Sequence, residues 1–96
     1  MDNQWLFSDK PNVAVITTIN IVKKKKPILA VWHDADDEMW QFLDGTSVRK
    51  KDARIIGLEE IITIDDTVNE ISDLPLGWVA WRDKKGSSWK RKIQGE

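Results

Sequence analysis

Apolar and polar residues alternate along the first half of the chain, as they do in β-strands. In residues 12–22, NVAVITTINIV, the β-branched positions Val13, Val15, Thr17, Ile19 and Ile21 fall on one side of an extended chain. This pattern predicts a strand. KKKKP (residues 23–27) indicates a turn, because neighbouring lysines resist burial and proline disfavours helix before it. ILAVWHD, EMWQFL and ARIIGL then predict three further strands.

The apolar period changes in the second half of the chain. From Leu58 to Leu74 apolar residues recur at spacings of three and four, with acids between them. This favours one amphipathic helix, or two short helices with a break near Asp65 and Asp66. Pro75 and Gly77 end the helical pattern, and WVAWR and WKRKI predict two final strands.

The order of these elements predicts an α+β fold. We expect a mostly antiparallel sheet of about five to six strands, with one or two amphipathic helices packed on one face. The length of 96 residues indicates a single domain over residues 1–96, of which residues 1–11 form a loosely ordered N-terminal segment.

Two pairs of tryptophans bracket polar stretches of equal length: Trp32 with Trp40, and Trp81 with Trp89. If each pair lies directly across a hairpin, the loops have three residues, and the last residue takes the left-handed conformation that Gly favours and Asp tolerates. The predicted loops are Ala35-Asp36-Asp37 and Lys84-Lys85-Gly86. The acids of HDADDE (residues 33–38) are accordingly interpreted as turn residues.

The same acidic stretch also carries the residue types of a metal or catalytic site. An EF-hand loop starting at Asp34 needs Gly at its sixth position and Glu at its twelfth, where this chain has Met39 and Gly45. A looser magnesium or manganese site on these carboxylates stays open as an alternative. His33 is the single histidine, cysteine is absent, and none of the common nucleophile, phosphate-loop or zinc motifs occurs. We therefore predict a non-enzyme with no catalytic residue, no metal site and no cofactor.

Charge is segregated although the net charge is only −1. Residues 58–74 carry acids and no base, whereas residues 82–92 carry bases and one acid, and such asymmetry can steer a charged partner. Tryptophan and arginine are also enriched at binding hot spots. The candidate partner-binding residues are Glu59, Glu60, Asp65, Asp66, Trp81, Arg82, Trp89 and Arg91. The competing interpretation is ordinary solvated faces and tryptophans that pack in the core.

Nucleic acid is the alternative partner. Single strands bind where phosphates meet lysine and arginine and bases stack on aromatic rings, and the segment from Trp81 to Lys92 offers both. Against this, the pI is about 5.8, whereas dedicated nucleic-acid-binding domains are usually basic.

The N-terminus lacks the pattern of a secretory signal and no apolar run is long enough to span a membrane, so we expect a cytoplasmic protein that does not bind membranes. The oligomeric state stays open.

Four segments together resemble a family of small bacterial domains of unknown function, some of whose members are immunity-protein-like. They are PILAVWHDADDEMWQFLDG, DARIIGLEEIITID, LPLGWVAWR and SSWKR, within residues 12–91. The chain departs from the family pattern at Glu38 and Met39, where the family often has Gly, and at Asp65-Asp66, where it often has Asp-Pro. The resemblance implies a small α+β fold and a protein-binding role, such as neutralising a toxin, and it implies no reaction.

Overall fold

The computed structural model of the chain describes residues 4–96. Its strands are β1 (Ala14–Thr18), β2 (Ala30–His33), β3 (Trp40–Leu43), β4 (Ala53–Gly57), β5 (Trp78–Trp81) and β6 (Lys90–Ile93). Its α-helices are α1 (Ile19–Val22) and α2 (Leu58–Ile64), and 3₁₀ helices cover Lys50–Asp52 and Asp66–Ile71.

All six strands join one sheet in the order β4-β1-β3-β2-β5-β6. Only the β1–β3 pair is parallel, and the other four neighbouring pairs are antiparallel. A six-stranded, mostly antiparallel sheet with a few short helices confirms the predicted α+β class. No helix within residues 4–96 is long and apolar enough to cross a membrane.

A single cluster of buried side chains joins the sheet to the helices. The strands contribute alternate residues, and both α2 and the second 3₁₀ helix contribute their apolar side: Val15, Val31, Phe42, Ala80, Leu58, Ile61, Val68 and Ile71. Each fully buried side chain of this size stabilises the fold by roughly 1.5–3 kcal/mol before entropy is counted. Phe7 is also buried in this cluster, and residues 1–3 of the predicted loose N-terminal segment lie outside the described residues.

Of the two predicted alternatives for residues 58–74, the one with a helical break near Asp65 and Asp66 is observed. Helix α2 ends at Ile64, and Asp65 takes an extended backbone with φ −154° and ψ 99°. Its Oδ1 accepts hydrogen bonds from the backbone N–H of Thr67, at 3.0 Å, and from the Thr67 hydroxyl, at 2.6 Å. This carboxylate caps the following 3₁₀ helix, because it satisfies an N–H that has no partner inside that helix.

The strand predicted over residues 12–22 is wrong in its second half. It ends at Thr18, which pairs with Ala53 at the start of β4, so the sheet offers no partner there for the residues that follow. Residues 19–22 instead form α1, whose first carbonyl accepts from the Lys23 N–H at 2.8 Å. Ile21 still reaches the core, with 1% of its surface exposed.

Both predicted tryptophan registers are wrong by one residue. Trp40 lies opposite His33, and Trp81 lies opposite Lys90, and residues 34–39 and 82–89 connect the paired strands. Gly86 is left-handed as predicted, with φ +90°, but in the acidic turn it is Glu38, not Asp37, that takes φ +61°. The Asp37 carboxylate instead accepts from the Met39 N–H at 3.0 Å, which closes the turn by a side-chain bond.

The acidic turn therefore yields a stability prediction. Glu38→Gly should raise the free energy of unfolding by up to about 1 kcal/mol, because glycine adopts the left-handed conformation without steric cost. Asp37→Gly should lower it by about 0.5–1.5 kcal/mol, because the bond to Met39 is lost. Urea unfolding of both variants measures the two effects, and equal signs would contradict this description of the turn.

A second prediction concerns acid stability at Asp44, which follows β3 and is buried. Burial raises its pKa, but bonds from the Thr46 hydroxyl, the Thr46 backbone N–H and the Asn20 amide outweigh this, and the pKa lies below the ordinary 3.8. A lowered pKa stabilises the fold above the ordinary value, and this contribution disappears as pH falls through the folded-state pKa. The stability advantage of the wild type over Asp44→Asn should thus be constant near neutrality and vanish in strong acid. Urea unfolding at a series of pH values tests this, and an advantage that persists in strong acid would contradict it.

Candidate functional site

One set of alternating strand residues is separate from the core cluster. Direct cross-strand pairing aligns one residue from every strand in a row that crosses the whole sheet, from β4 to β6: Ile55, Ile16, Gln41, Trp32, Val79 and Lys92. The next row carries Ala30, Trp81 and Lys90 as direct neighbours on β2, β5 and β6. Because side chains alternate between the two faces of a strand, both rows lie on the side opposite Val31, Phe42 and Ala80.

The centre of this side is a shallow apolar depression of about 270 Å³. We call it the tryptophan face and define it by its lining residues, Ala30, Trp32, Val79, Trp81 and Lys92. Trp32 and Trp81 are each half-buried and belong to neighbouring strands. The Lys92 ammonium lies 5.7 Å from the centre of the Trp81 ring, a cation–π distance. Two partly exposed indoles beside a cation can bind apolar groups, aromatic rings and anions.

Arg82 and Trp89, two of the predicted binding residues, are held in a network below the β5–β6 loop. The Arg82 guanidinium donates to Asp65 Oδ2 at 2.9 Å, to the Thr67 hydroxyl at 2.9 Å and to the Ile28 carbonyl at 3.1 Å. It also stacks 4.1 Å from the centre of the Trp89 ring, whose Nε1 donates to the Thr67 carbonyl at 3.4 Å. We call Asp65, Thr67, Arg82 and Trp89 the arginine clamp.

Within the arginine clamp, two of the predicted partner-binding residues, Asp65 and Arg82, are buried. The Arg82 side chain is 0% exposed and that of Asp65 is 4% exposed, so neither can meet a partner in this structure. Burial of an ion pair is tolerated only when the remaining polar atoms are bonded, and here Thr67 and Ile28 supply those bonds. The opposite charges that the sequence places in separate segments therefore bind each other.

Arg91 continues the same pairing at the surface. Its guanidinium donates to the Asp73 carboxylate at 3.0 Å and to the Glu70 carbonyl at 3.4 Å. Asp73 is 77% exposed, so solvent screens this ion pair and its net contribution to stability is small. The segment from Arg82 to Arg91 thus contacts the acidic helical segment at two points, the clamp and this exposed pair.

The remaining predicted residues lie apart from one another. Glu59 and Asp66 are exposed in the first turns of α2 and of the second 3₁₀ helix. The Glu60 carboxylate accepts from the Gly57 N–H at 2.8 Å and so closes the start of α2. Trp81 alone lies on the tryptophan face. The structure therefore does not assemble the eight candidates into one site.

The acidic turn and His33 are occupied by structural contacts. The His33 ring stacks on Trp40 with centres 3.8 Å apart, and its Nδ1 lies 2.7 Å from the Leu74 carbonyl oxygen, to which it donates. The Asp34 carboxylate accepts from the Gln41 amide at 2.5 Å. Within residues 4–96, no three carboxylate or histidine side chains converge as metal ligands would.

The candidate partner-binding residues predicted from the sequence did not include Trp32, and Lys90 and Lys92 entered only through the nucleic-acid alternative. The alternation in β2 does separate Trp32 from Val31 and His33, so the signal was present. The sequence does not reveal which side of the strand carries the helices, nor that β2 and β5 are neighbours. Those two facts depend on tertiary pairing.

Comparison with known proteins adds no relative, since no protein-family model, curated protein or solved structure matches the chain.

The arginine clamp gives a third prediction. Arg82→Leu should lower the free energy of unfolding by about 3–5 kcal/mol, because it leaves the Asp65 carboxylate buried without its partner. Arg91→Leu, the matched control at the exposed pair, should cost about 1 kcal/mol or less. Urea unfolding measures both, and similar costs would show that burial does not govern these pairs. In the double variant Asp65→Asn/Arg82→Leu part of the loss should be recovered, because no unpaired charge stays buried.

Proposed function

We propose that this protein is a non-enzymatic protein-binding module and that the tryptophan face is its docking surface. The observation that carries the proposal is the pair of half-buried tryptophans, Trp32 and Trp81, adjacent on the sheet with Lys92 beside them. Tryptophan dominates binding hot spots because it removes a large apolar area from water while keeping a polar N–H.

The proposal includes the position of the helices. We infer that α2 and the second 3₁₀ helix cover only the side that carries Val31 and Phe42. In support, the buried side chains of both helices lie in one cluster with those two residues. Among the described residues, that cluster does not include Trp32 or Trp81. A sheet side with two uncovered indoles is the kind of apolar surface that marks an interaction site.

Charge complementarity indicates the chemistry of the partner. Lys90 and Lys92 project from β6 on the same side as Trp81 and are exposed. A complementary protein surface therefore has an apolar patch that receives the indoles, with carboxylates on the flank that meets β6. A toxin is the partner class that the resemblance to immunity-like domains implies.

A fourth prediction tests this surface. A tagged wild-type protein should retain one stoichiometric protein from a lysate of its source cells, and the retention should survive nuclease treatment. Trp32→Ser/Trp81→Ser should weaken this complex at least about thirtyfold, the effect of losing roughly 2 kcal/mol at a hot spot. Leu6→Ser/Leu76→Ser is the matched control, because it removes two exposed leucines elsewhere and should leave affinity unchanged.

Charge reversal gives the second arm of the same test. Lys90→Glu/Lys92→Glu should slow association at low salt, whereas Lys50→Glu/Lys51→Glu, an equal change outside the face, should have little effect. Circular dichroism and urea unfolding verify that each variant is folded. Equal losses in the test and control variants, or no loss with the tryptophan variant, would reject the tryptophan face as the docking surface.

Single-stranded nucleic acid is the second candidate, favoured by the lysines that flank Trp81 on β6. Bases could stack on Trp32 and Trp81 while phosphates meet Lys90 and Lys92. Titration with an oligothymidylate should then quench tryptophan fluorescence with an affinity that falls steeply with salt. Protein retention that nuclease abolishes, together with such quenching, would replace the protein-binding proposal.

A further inference from the structure

A second cleft lies away from the tryptophan face and has a different chemistry. Its volume is about 420 Å³, within the range of roughly 300–1,000 Å³ common for small-molecule sites. Ile21, Ile28 and Ile64 form apolar walls, and Lys25, Lys26 and Lys85 stand at its border. We call these six residues the lysine cleft.

The walls of the lysine cleft come from three separate parts of the chain. Ile21 belongs to α1, Ile28 to the segment before β2, and Ile64 to the last turn of α2. Ile21 and Ile28 are each only 1% exposed, whereas Ile64 is 39% exposed although it is a large apolar side chain. An apolar ligand in the cleft would shield Ile64 from water, which is favourable in proportion to the area covered.

The charge at the cleft is positive in spite of Asp65, which also lines it. The Asp65 carboxylate is neutralised by Arg82 in the buried ion pair of the arginine clamp. The three lysines are exposed. The clamp further holds the β5–β6 loop against Thr67, and Lys85 lies in that loop, so the network that neutralises Asp65 also positions one of the cations.

Lys25 adds an independent observation from the backbone. Its φ is +57°, in the left-handed region where side chains are unfavourable and glycine is the usual residue. It lies three residues after the end of α1 at Val22, in the turn that leads to Pro27, where glycine would adopt this conformation at lower cost. A lysine at this position is explained if its ammonium group makes a binding interaction whose free energy exceeds the conformational cost.

We propose that the lysine cleft binds a small organic anion with an aliphatic tail. The anionic head would lie among the ammonium groups of Lys25, Lys26 and Lys85, and the tail would cover Ile21, Ile28 and Ile64. Neither the lysines nor the apolar walls alone would bind a ligand tightly. Exposed ammonium–anion pairs contribute little binding free energy in water, and the apolar walls are small. The ligand must therefore combine both features in one molecule, as a medium-chain carboxylate does.

The test uses decanoate, below its micelle concentration, with the full chain labelled with ¹⁵N and followed by amide chemical shifts. Saturable shifts should appear at residues 21–28, 64 and 85. Acetate, which has the charge without the tail, and decanol, which has the tail without the charge, should bind at least about tenfold more weakly. Saturable decanoate shifts confined to the tryptophan face, or no shifts at all, would overturn the proposal.

Matched variants separate the cleft from general charge effects. Lys85→Ser should weaken decanoate binding about two- to fivefold, as expected for one exposed ion pair, whereas Lys84→Ser, the neighbouring lysine outside the cleft, should leave it unchanged. Lys25→Gly should weaken binding while raising the melting temperature, because the backbone strain is relieved. Equal weakening by Lys84→Ser, or unchanged binding in Lys25→Gly, would show that the cleft does not recognise the anion.

Discussion

The buried ion pair between Asp65 and Arg82 is the contact on which the two halves of the fold depend. Asp65 ends α2 and begins the second 3₁₀ helix, and Arg82 follows the last residue of β5, so their bond at 2.9 Å ties the helical segment to the sheet. Thr67 and Trp89 complete the environment of both charges. Removing either partner would leave a buried charge uncompensated, which is why the network behaves as a unit.

The ion pair also determines which surfaces are free. Segregated charge in a sequence often indicates attraction to a partner, but here much of that attraction is internal, through Arg82 with Asp65 and Arg91 with Asp73. Two surfaces of different chemistry lie outside these charge pairs. The tryptophan face is apolar with lysines on one flank, and the lysine cleft is cationic around apolar walls. Both of them include residues from the segment 79–92, which the clamp holds against the rest of the fold.

In the acidic turn, the residue types suggest a metal or catalytic site, but in the structure their side chains make structural contacts. The Asp34 carboxylate accepts a hydrogen bond from the Gln41 amide, and the Asp37 carboxylate accepts one from the Met39 N–H. The His33 ring stacks on Trp40. The two carboxylates close the hairpin between β2 and β3, and the His33 ring also bonds the Leu74 carbonyl. The same residue types would serve a metal site only if at least three of them converged, and within residues 4–96 no three do.

The sequence by itself determined the class of fold, most strand positions and the left-handed Gly86, because these follow from local periodicity and backbone preference. It left one helix or two as alternatives for residues 58–74, and the structure has the break at Asp65. Tertiary structure decided the order of the strands, the end of β1 at Thr18 and the register that places His33, not Trp32, opposite Trp40. It likewise decided that Asp65 and Arg82 bind each other while Trp32 and Trp81 become neighbours. Pairings between residues distant in sequence depend on the packing of the whole chain, which no local pattern encodes.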